Sequence, residues 1–387
     1  MIPIKYNLRN LRVRWVTTAL TVLGTGLVVA SSCVLFGMVE GLQQSLKVSG
    51  DPVDLIVLRK GSTNETGSSI DAAKAKEIAL LPGIERDKEG VALCASELLN
   101  IPVCYRMNGS RANLIIRGVD PISPALRREF KVVEGRSLVP GKNECIVARP
   151  ISGRFRGTRL GETLICGINE SYVVVGIFTA GGSAAESEVW VDRRDLERNT
   201  QRMGNVAAVQ LRAASAKDRD EIQKTLQNST QFGLLAMQEA DYFASQQITG
   251  TILLVIGSMI AVLLSIGAMF AAANTMFSAV KSRTREIGTL RALGFSRFDV
   301  LVSFLGESIL LCSLGGLLGW LATIPMTAIS FGTNDFSSFA EKTIQFRFGP
   351  LVFMVAFAMT MAMGIFGGLF PAIRAVRLDV IKALREV

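Results

Sequence analysis

Four runs almost free of charge dominate this 387-residue sequence: Trp15–Met38, Ile248–Val280, Val300–Phe331 and Phe348–Phe370. Only the third contains a charged residue, Glu307. Each run exceeds the ~20 apolar residues that cross a ~30 Å hydrocarbon core. A core helix of a globular domain seldom continues that far without a charge, and four such helices in one chain point to a membrane α-helical protein with four transmembrane helices. The expected spans are 15–38, 248–280, 300–331 and 348–370, with a short outer loop at 332–347.

Charge orients them. Lys5, Arg9, Arg12 and Arg14 precede the first run, Lys281, Arg283, Arg285, Arg291 and Arg297 lie between the second and third, and Arg374, Arg377, Lys382 and Arg385 follow the fourth. Only Glu286, Asp299, Asp379 and Glu386 oppose these 13 bases. Removing both groups from the chain's 42 basic and 33 acidic residues leaves 29 of each, so the whole net charge of +9 sits beside membrane spans. This positive-inside pattern places both termini, the loop 281–299 and the tail 371–387 in the cytoplasm. The large region between the first two spans is neutral, which removes nucleic acid as a partner.

Residue types exclude further classes. The chain has no histidine, so His-based triads, His general bases and His-containing zinc sites are absent, and neither a catalytic nor a metal-binding residue is expected. Cys33 and Cys312 fall inside spans, where a small buried side chain is the ordinary reading. Cys94, Cys104, Cys145 and Cys166 fall in the outer region, where disulfides can form; spacing does not fix their pairing. Gly61 and Gly67 are misspaced for a phosphate-binding loop, and no Lys follows. The cytoplasmic pieces are too short for an ATPase, so no cofactor is expected on this chain.

Residues 1–14 suit an amphipathic interfacial helix, with Ile4, Leu8, Leu11 and Trp15 on one face. The apolar stretch after it is too long for a signal peptide and has no A-x-A site, which reads as an uncleaved anchor. Residues 40–246 are long enough for an α+β domain with its own core. Strand-like Val53–Leu58, helix-like Ile70–Leu81, strand-like Val91–Cys94 and a hairpin around Asn108-Gly109 open it. A Gly-rich stretch at about 130–192 reads as a β-rich insertion, with Glu144–Ala148, Thr163–Cys166, Tyr172–Phe178 and Val189–Val191 as strands. Val206–Arg212 and Ala216–Asn228 close it as strand and helix. The second run would make a helix of ~50 Å, so its outer end is expected to project as a stalk joined to a helix-like segment near Met237–Gln247.

Within 281–299, Gly294 is a natural C′ glycine, and Ser296 with Asp299 forms a capping-box pattern. A short helix therefore ends near Leu293 and another starts at Ser296. Ile287, Leu290 and Leu293 form its apolar side. Glu307 is an intramembrane carboxylate, expensive enough to be functional by default, and Asn274 lies at similar depth as a hydrogen-bond partner for it. Gly315, Gly319, Gly364 and Gly368 are spaced for close helix contact.

The run from Arg285 to Gly316, with Arg-Glu-Ile-Gly-Thr-Leu-Arg-Ala-Leu-Gly-Phe-Ser-Arg, and the closing Pro371–Arg385 resemble the FtsX-like permease domain of MacB-type ABC transporters, the mechanotransmission family. Val380 departs from the Pro usual after the Asp. The resemblance is strong over 248–387. It implies a bacterial inner-membrane permease whose outer domain combines a porter-like βα subdomain with the β-rich insertion. It also implies a permease homodimer or paralogous heterodimer standing on a cytoplasmic ABC ATPase dimer, which holds the ATP and Mg. Glu286, Ile287, Gly288, Arg291, Ala292, Leu293 and Gly294 would form the ATPase-coupling helix.

Three functions compete. The first is a permease subunit driving export from the periplasm or lipoprotein trafficking, with a periplasmic adaptor and outer-membrane channel as further partners. The second is an FtsX-like signalling subunit that regulates a periplasmic cell-wall hydrolase. The third, a membrane-anchored enzyme, lacks any nucleophile–base pattern. The size of the outer domain favours the first, and the identity of the outer partner separates the first two.

Overall fold

The computed structural model describes residues 15–49, 51–127, 129–167, 170–229, 232–245, 248–328, 330–334 and 341–378. The expected leader helix at 1–14, the join at 246–247 between the stalk segment and the second run, and the tail beyond 378 lie outside them. The chain divides into two compact units: a helical unit of 1–41, 251–329 and 345–387, and an α+β unit of 42–250 with 330–344.

Helix α1 (Trp15–Ser49) runs 11 residues beyond the expected end at Met38. On either side of that expected end the helix meets the chain before the fourth long helix: the Gly37 carbonyl accepts from the Arg347 N–H (3.1 Å), and the Glu40 carboxylate accepts from the Gly349 N–H (3.3 Å). Polar side chains within α1 are satisfied locally, as a hydrocarbon environment demands. Thr25 donates to the Thr21 carbonyl (2.9 Å) and Ser32 to that of Val28 (2.9 Å).

In the α+β unit the chain forms β1 (Asp54–Arg59), β2 (Ile70–Asp71), α2 (Ala72–Ile78), β3 (Cys94–Asn100), β4 (Val103–Tyr105), β5 (Arg111–Asn113), β6 (Ile115–Val119), β7 (Phe130–Gly135), β8 (Glu144–Ala148), β9 (Thr163–Cys166), β10 (Glu170–Ala180) and β11 (Glu188–Asp192). Next come α3 (Arg193–Thr200), β12 (Asn205–Val206), β13 (Ala208–Arg212), α4 (Ala216–Asn228), β14 (Leu234–Gln238) and α5 (Glu239–Ser245). Asp71, Asp192 and Ser215 cap α2, α3 and α4 by accepting from backbone N–H groups, which satisfies donors that a helix start leaves free. The strand expected at Val91–Cys94 begins instead at Cys94, and Met237 belongs to β14 rather than to a helical stalk.

One sheet runs β14-β1-β13-β3-β6-β11-β8-β10-β7, with β9 added on β10. β3 changes partner along its length: Cys94–Glu97 pair with β13, Leu98–Asn100 with β6. Each half has its own core. Leu55, Val57, Ile78, Ile222 and Leu226 fill one; Leu114, Phe155, Tyr172, Phe178 and Trp190 fill the other. The second core draws on residues from Leu98 to Ala207, so the β-rich part is wider than 130–192, because parallel pairing of β6 with β11 brings the strands before 130 into it. Cys104 and Cys166 form a disulfide beneath this half, and Cys94 and Cys145 are free thiols.

Both halves meet over buried charge. Arg117 on β6 bonds Glu65, Glu97 and Glu188, each at 2.8 Å. Arg127 reaches Glu97 at 3.0 Å and lies 4.0 Å from Glu239, the first residue of α5. Burial opposes ionisation of Glu188, but Arg117 outweighs it and holds that carboxyl below its ordinary value. Burial pushes Glu239 up to about 8; Arg127 opposes the shift, and the carboxylates of Asp54, Glu97 and Glu65 add to it.

The helical unit continues with α6 (Ile248–Ser282), α7 (Thr284–Ala292) and α8 (Arg297–Thr323). The third apolar run does not stay helical to Phe331. It passes through one 3-10 turn, Ile324–Ala328, at Pro325 and enters β15 (Ser330–Asn334). With β16 (Glu341–Gln345), β15 forms a two-stranded sheet, where a plain loop was expected. α9 (Pro350–Val376) extends six residues into the expected tail, with Pro371 inside it. Among the described residues, four helices are long and apolar enough to cross a membrane. Among its described residues α6 buries a narrow stripe, Gly257, Ala261, Ala268, Ala272, Met276, Ala279 and Val280, mostly at the three-, four- and seven-residue spacing of one helix face.

Candidate functional site

α7 is held between the three long helices around it. Arg283, at its N-cap position, offers no cap to the backbone. Its side chain turns inward, where Nη1 donates to Glu307 of α8 at 3.0 Å and Nε to Glu286 at 3.2 Å. Its guanidinium also lies 5.1 Å from the Phe304 ring centre. Arg283 is 8% and Glu307 5% exposed. A lone carboxylate at this depth would be expensive; a hydrogen-bonded guanidinium stacked on an aromatic face offsets much of that cost.

This corrects the expected Asn274–Glu307 pair. Asn274 is exposed on α6. It lies nine residues before Arg283, which is about half a turn out of phase on a helix of 3.6 residues per turn, so the face that meets α8 carries Met276, Ala279 and Val280 instead. Arg283 is the partner of Glu307 that sequence reasoning missed. The available signal was simple: a single acid in a span needs a cation, and Arg283, with Lys281, is one of the first two bases after the charge-free body of α6.

The remaining residues of α7 divide by face. Ile287 and Gly288 are buried, Ile287 in a cluster with Val280, Val300, Phe304, Ala372 and Ala375 drawn from α6, α8 and α9. Arg291 donates from Nη1 to the Val376 carbonyl at 3.0 Å. A cation on the last carbonyls of α9 fits both the unsatisfied acceptors and the negative end of the helix dipole. Glu286, Ala292 and Gly294 are exposed. Leu293 is 73% exposed and does not join the apolar side assigned to it. The helix ends there, and Gly294, with φ +97°, turns the chain away. Ser296 and Asp299 then form a reciprocal capping box that starts α8.

The four spaced glycines lie at helix contacts. A Cβ on Gly319 would sit 2.2 Å from the Gly26 carbonyl oxygen of α1, and one on Gly315 would meet Thr25 and Val22. Gly364 and Gly368 of α9 face Ile309 and Ser308 of α8. At Gly319 and Gly364 the neighbour is backbone, so a side chain there requires the helices to separate. Thr21 of α1 donates to the Thr275 hydroxyl of α6 at 2.9 Å. The base of the helical unit is thus one connected piece built from α1, α6, α7, α8 and α9.

The chain thus combines a short helix, bonded on one side to three spans and exposed on the other, with an α+β unit inserted in sequence between the first two spans. Residues 258–380 match the model of the FtsX-like permease C-terminal domain, and residues 18–229 match that of the MacB-like periplasmic core domain. The chain belongs to the MacB/FtsX-type ABC transporter permease family. It is 24% identical to the pyoverdine export ATP-binding/permease protein PvdT of Pseudomonas entomophila (strain L48), over 96% of this chain and 58% of that protein. It is 35% identical to the macrolide export ATP-binding/permease protein MacB of Agrobacterium fabrum (strain C58 / ATCC 33970), over 35% of this chain and 20% of that one. The chain therefore spans little more than half the length of such relatives. Among solved structures, the periplasmic region of MacB from Actinobacillus actinomycetemcomitans aligns with a TM-score of 0.38 at 11% identity, covering 55% of this chain and 97% of that one.

Proposed function

We propose that this chain is the permease subunit of an ABC transporter in a bacterial inner membrane, with both termini and α7 in the cytoplasm. It works as a pair of copies over a cytoplasmic ATPase dimer, and ATP with its Mg belongs to that ATPase. Closure of the ATPase dimer pushes on the exposed side of α7. Arg283–Glu307 passes the push to α8, Arg291 passes it to α9, and the α+β unit outside does the work of export from the periplasm or of lipoprotein trafficking. The observation that carries this reading is the two-sidedness of α7: its buried side is bonded to the spans, and its other side presents Glu286 and Leu293.

The test is partner ATPase activity in nanodiscs. Leu293→Asp alters only an exposed side chain and is expected to abolish stimulation of the ATPase by the permease while leaving the chain inserted. Arg291→Glu should do the same by releasing α9. Full stimulation in Leu293→Asp would overturn the assignment of α7.

A further inference from the structure

A strand on the surface of a domain normally sends apolar side chains inward and polar ones outward. Around the disulfide this alternation fails. Cys104 of β4, Ala112 of β5 and Leu164 and Cys166 of β9 fill the core, each at most 9% exposed. The outward positions of β4 and β9 are nevertheless apolar: Val103 is 49% exposed, Tyr105 45% and Ile165 67%. They line a cleft of about 480 Å³ with Arg111 and Arg156. Arg111 stacks on Tyr105, its cross-strand partner, at 5.6 Å. Neither arginine has an ion pair among the described residues.

The face is rigidly framed. The disulfide ties β4 to β9, the Arg156 N–H donates to the Tyr105 carbonyl (2.9 Å), and the Met107 N–H to that of Arg154 (3.0 Å). Glu341 of β16, wholly buried, accepts from Arg106 at 2.6 Å and from Arg154, so it ties the segment after β4 to the segment before Arg156. A preformed surface that presents Tyr and Arg carries side chains enriched at the centres of protein interfaces. A small-molecule pocket would enclose most of its ligand, which walls this exposed do not.

We propose that the outward face of β4, β5 and β9 docks an acidic, apolar-anchored segment of a partner protein. The two guanidiniums without carboxylates require the acid, and Val103, Tyr105 and Ile165 require the apolar anchor. The identification rests on the proposed function only for the side of the membrane on which the partner is found.

The test places a photo-crosslinking amino acid at Ile165 of the full chain in cells and sequences the captured peptide. The expected product is a segment of another protein with acidic residues flanking an apolar one, reduced about tenfold or more in Arg111→Glu/Arg156→Glu. A basic or neutral segment, a second copy of this chain, lipid, or a yield indifferent to the charge reversal would each overturn it. In parallel, a synthetic Glu/Leu peptide should bind the nanodisc-embedded chain and its Lys/Leu counterpart should not; equal binding of the two sinks the proposal. Retention of the Cys104–Cys166 bond on a non-reducing gel confirms that the variant is folded. The α7 assay uses the permease and its ATPase without an outer partner, and the docking assay uses no ATPase readout, so failure here leaves the assignment of α7 standing, and failure there leaves this one.

Discussion

Buried charge is handled in opposite ways in the two units. In the helical unit one guanidinium meets one buried carboxylate, Arg283 with Glu307, and Glu286 supports it from a half-exposed rim. In the α+β unit two guanidiniums, Arg117 and Arg127, serve four buried carboxylates, Glu65, Glu97, Glu188 and Glu239. The first arrangement is balanced and sits at a junction of helices that the proposed function requires to move. The second carries surplus acid, locks two halves of a sheet together, and keeps a proton on Glu239 at neutral pH. A balanced pair near an interface can part and find water; a crowded cluster in a core cannot.

The largest expected effect follows from removing the hub. Arg117→Met leaves Glu65 and Glu188 without their bonded cation and Glu97 with Arg127 alone, and should destabilise the α+β unit by about 3–5 kcal/mol, read by denaturant unfolding. Loss of the disulfide comes next. Cys104→Ser/Cys166→Ser opens a link across 62 residues of sequence and should remove about 2–4 kcal/mol from the same unit. The helical unit, whose described cysteines Cys33 and Cys312 are free thiols, should not respond to reductant.

Glu239 gives the comparison a pH signature. An unfolded Glu releases its proton near pH 4, whereas the folded one holds it to about 8. Stability is therefore lost as pH rises from about 4 to 8 and is flat above that. Glu239→Gln should be neutral near pH 4 and stabilise the α+β unit progressively more as pH rises toward 8, with no further gain above that. A gain that is constant across this range would break the idea of a retained proton.

The smallest effect belongs to the balanced pair. Glu307→Leu should lower stability in detergent by only about 1 kcal/mol, because Arg283 keeps Glu286 and can extend toward water. Arg283→Met/Glu307→Leu together should recover most of it. A loss as large as that of Arg117→Met would show that the two units treat buried charge alike.

What was readable in the sequence is what local chemistry dictates. Charge-free length marks the four spans, and Ser296 with Asp299 marks the start of α8. Glu144–Ala148 and Thr163–Cys166 are strands with the bounds their β-branched runs suggest. The misses are partnerships over distance. Glu65, Glu97, Arg117, Arg127, Glu188 and Glu239 share no period, so only the sheet order brings them together. The continuation of α1 past Met38 brings Glu40 to the Gly349 N–H at the start of α9, a contact 309 residues away in sequence. Asn274 was matched to Glu307 by depth alone, and helix phase decides otherwise.

Pro371 gives the arrangement an articulated end. Lacking an N–H, it leaves the Gly367 carbonyl without its helical donor and weakens α9 one turn before the residues that Arg291 holds. Displacing α7 therefore need not drag a whole span through lipid. It can swing a terminal stub about a fixed elbow, and the long arm of α9 above stays packed on α8 through Gly364 and Gly368.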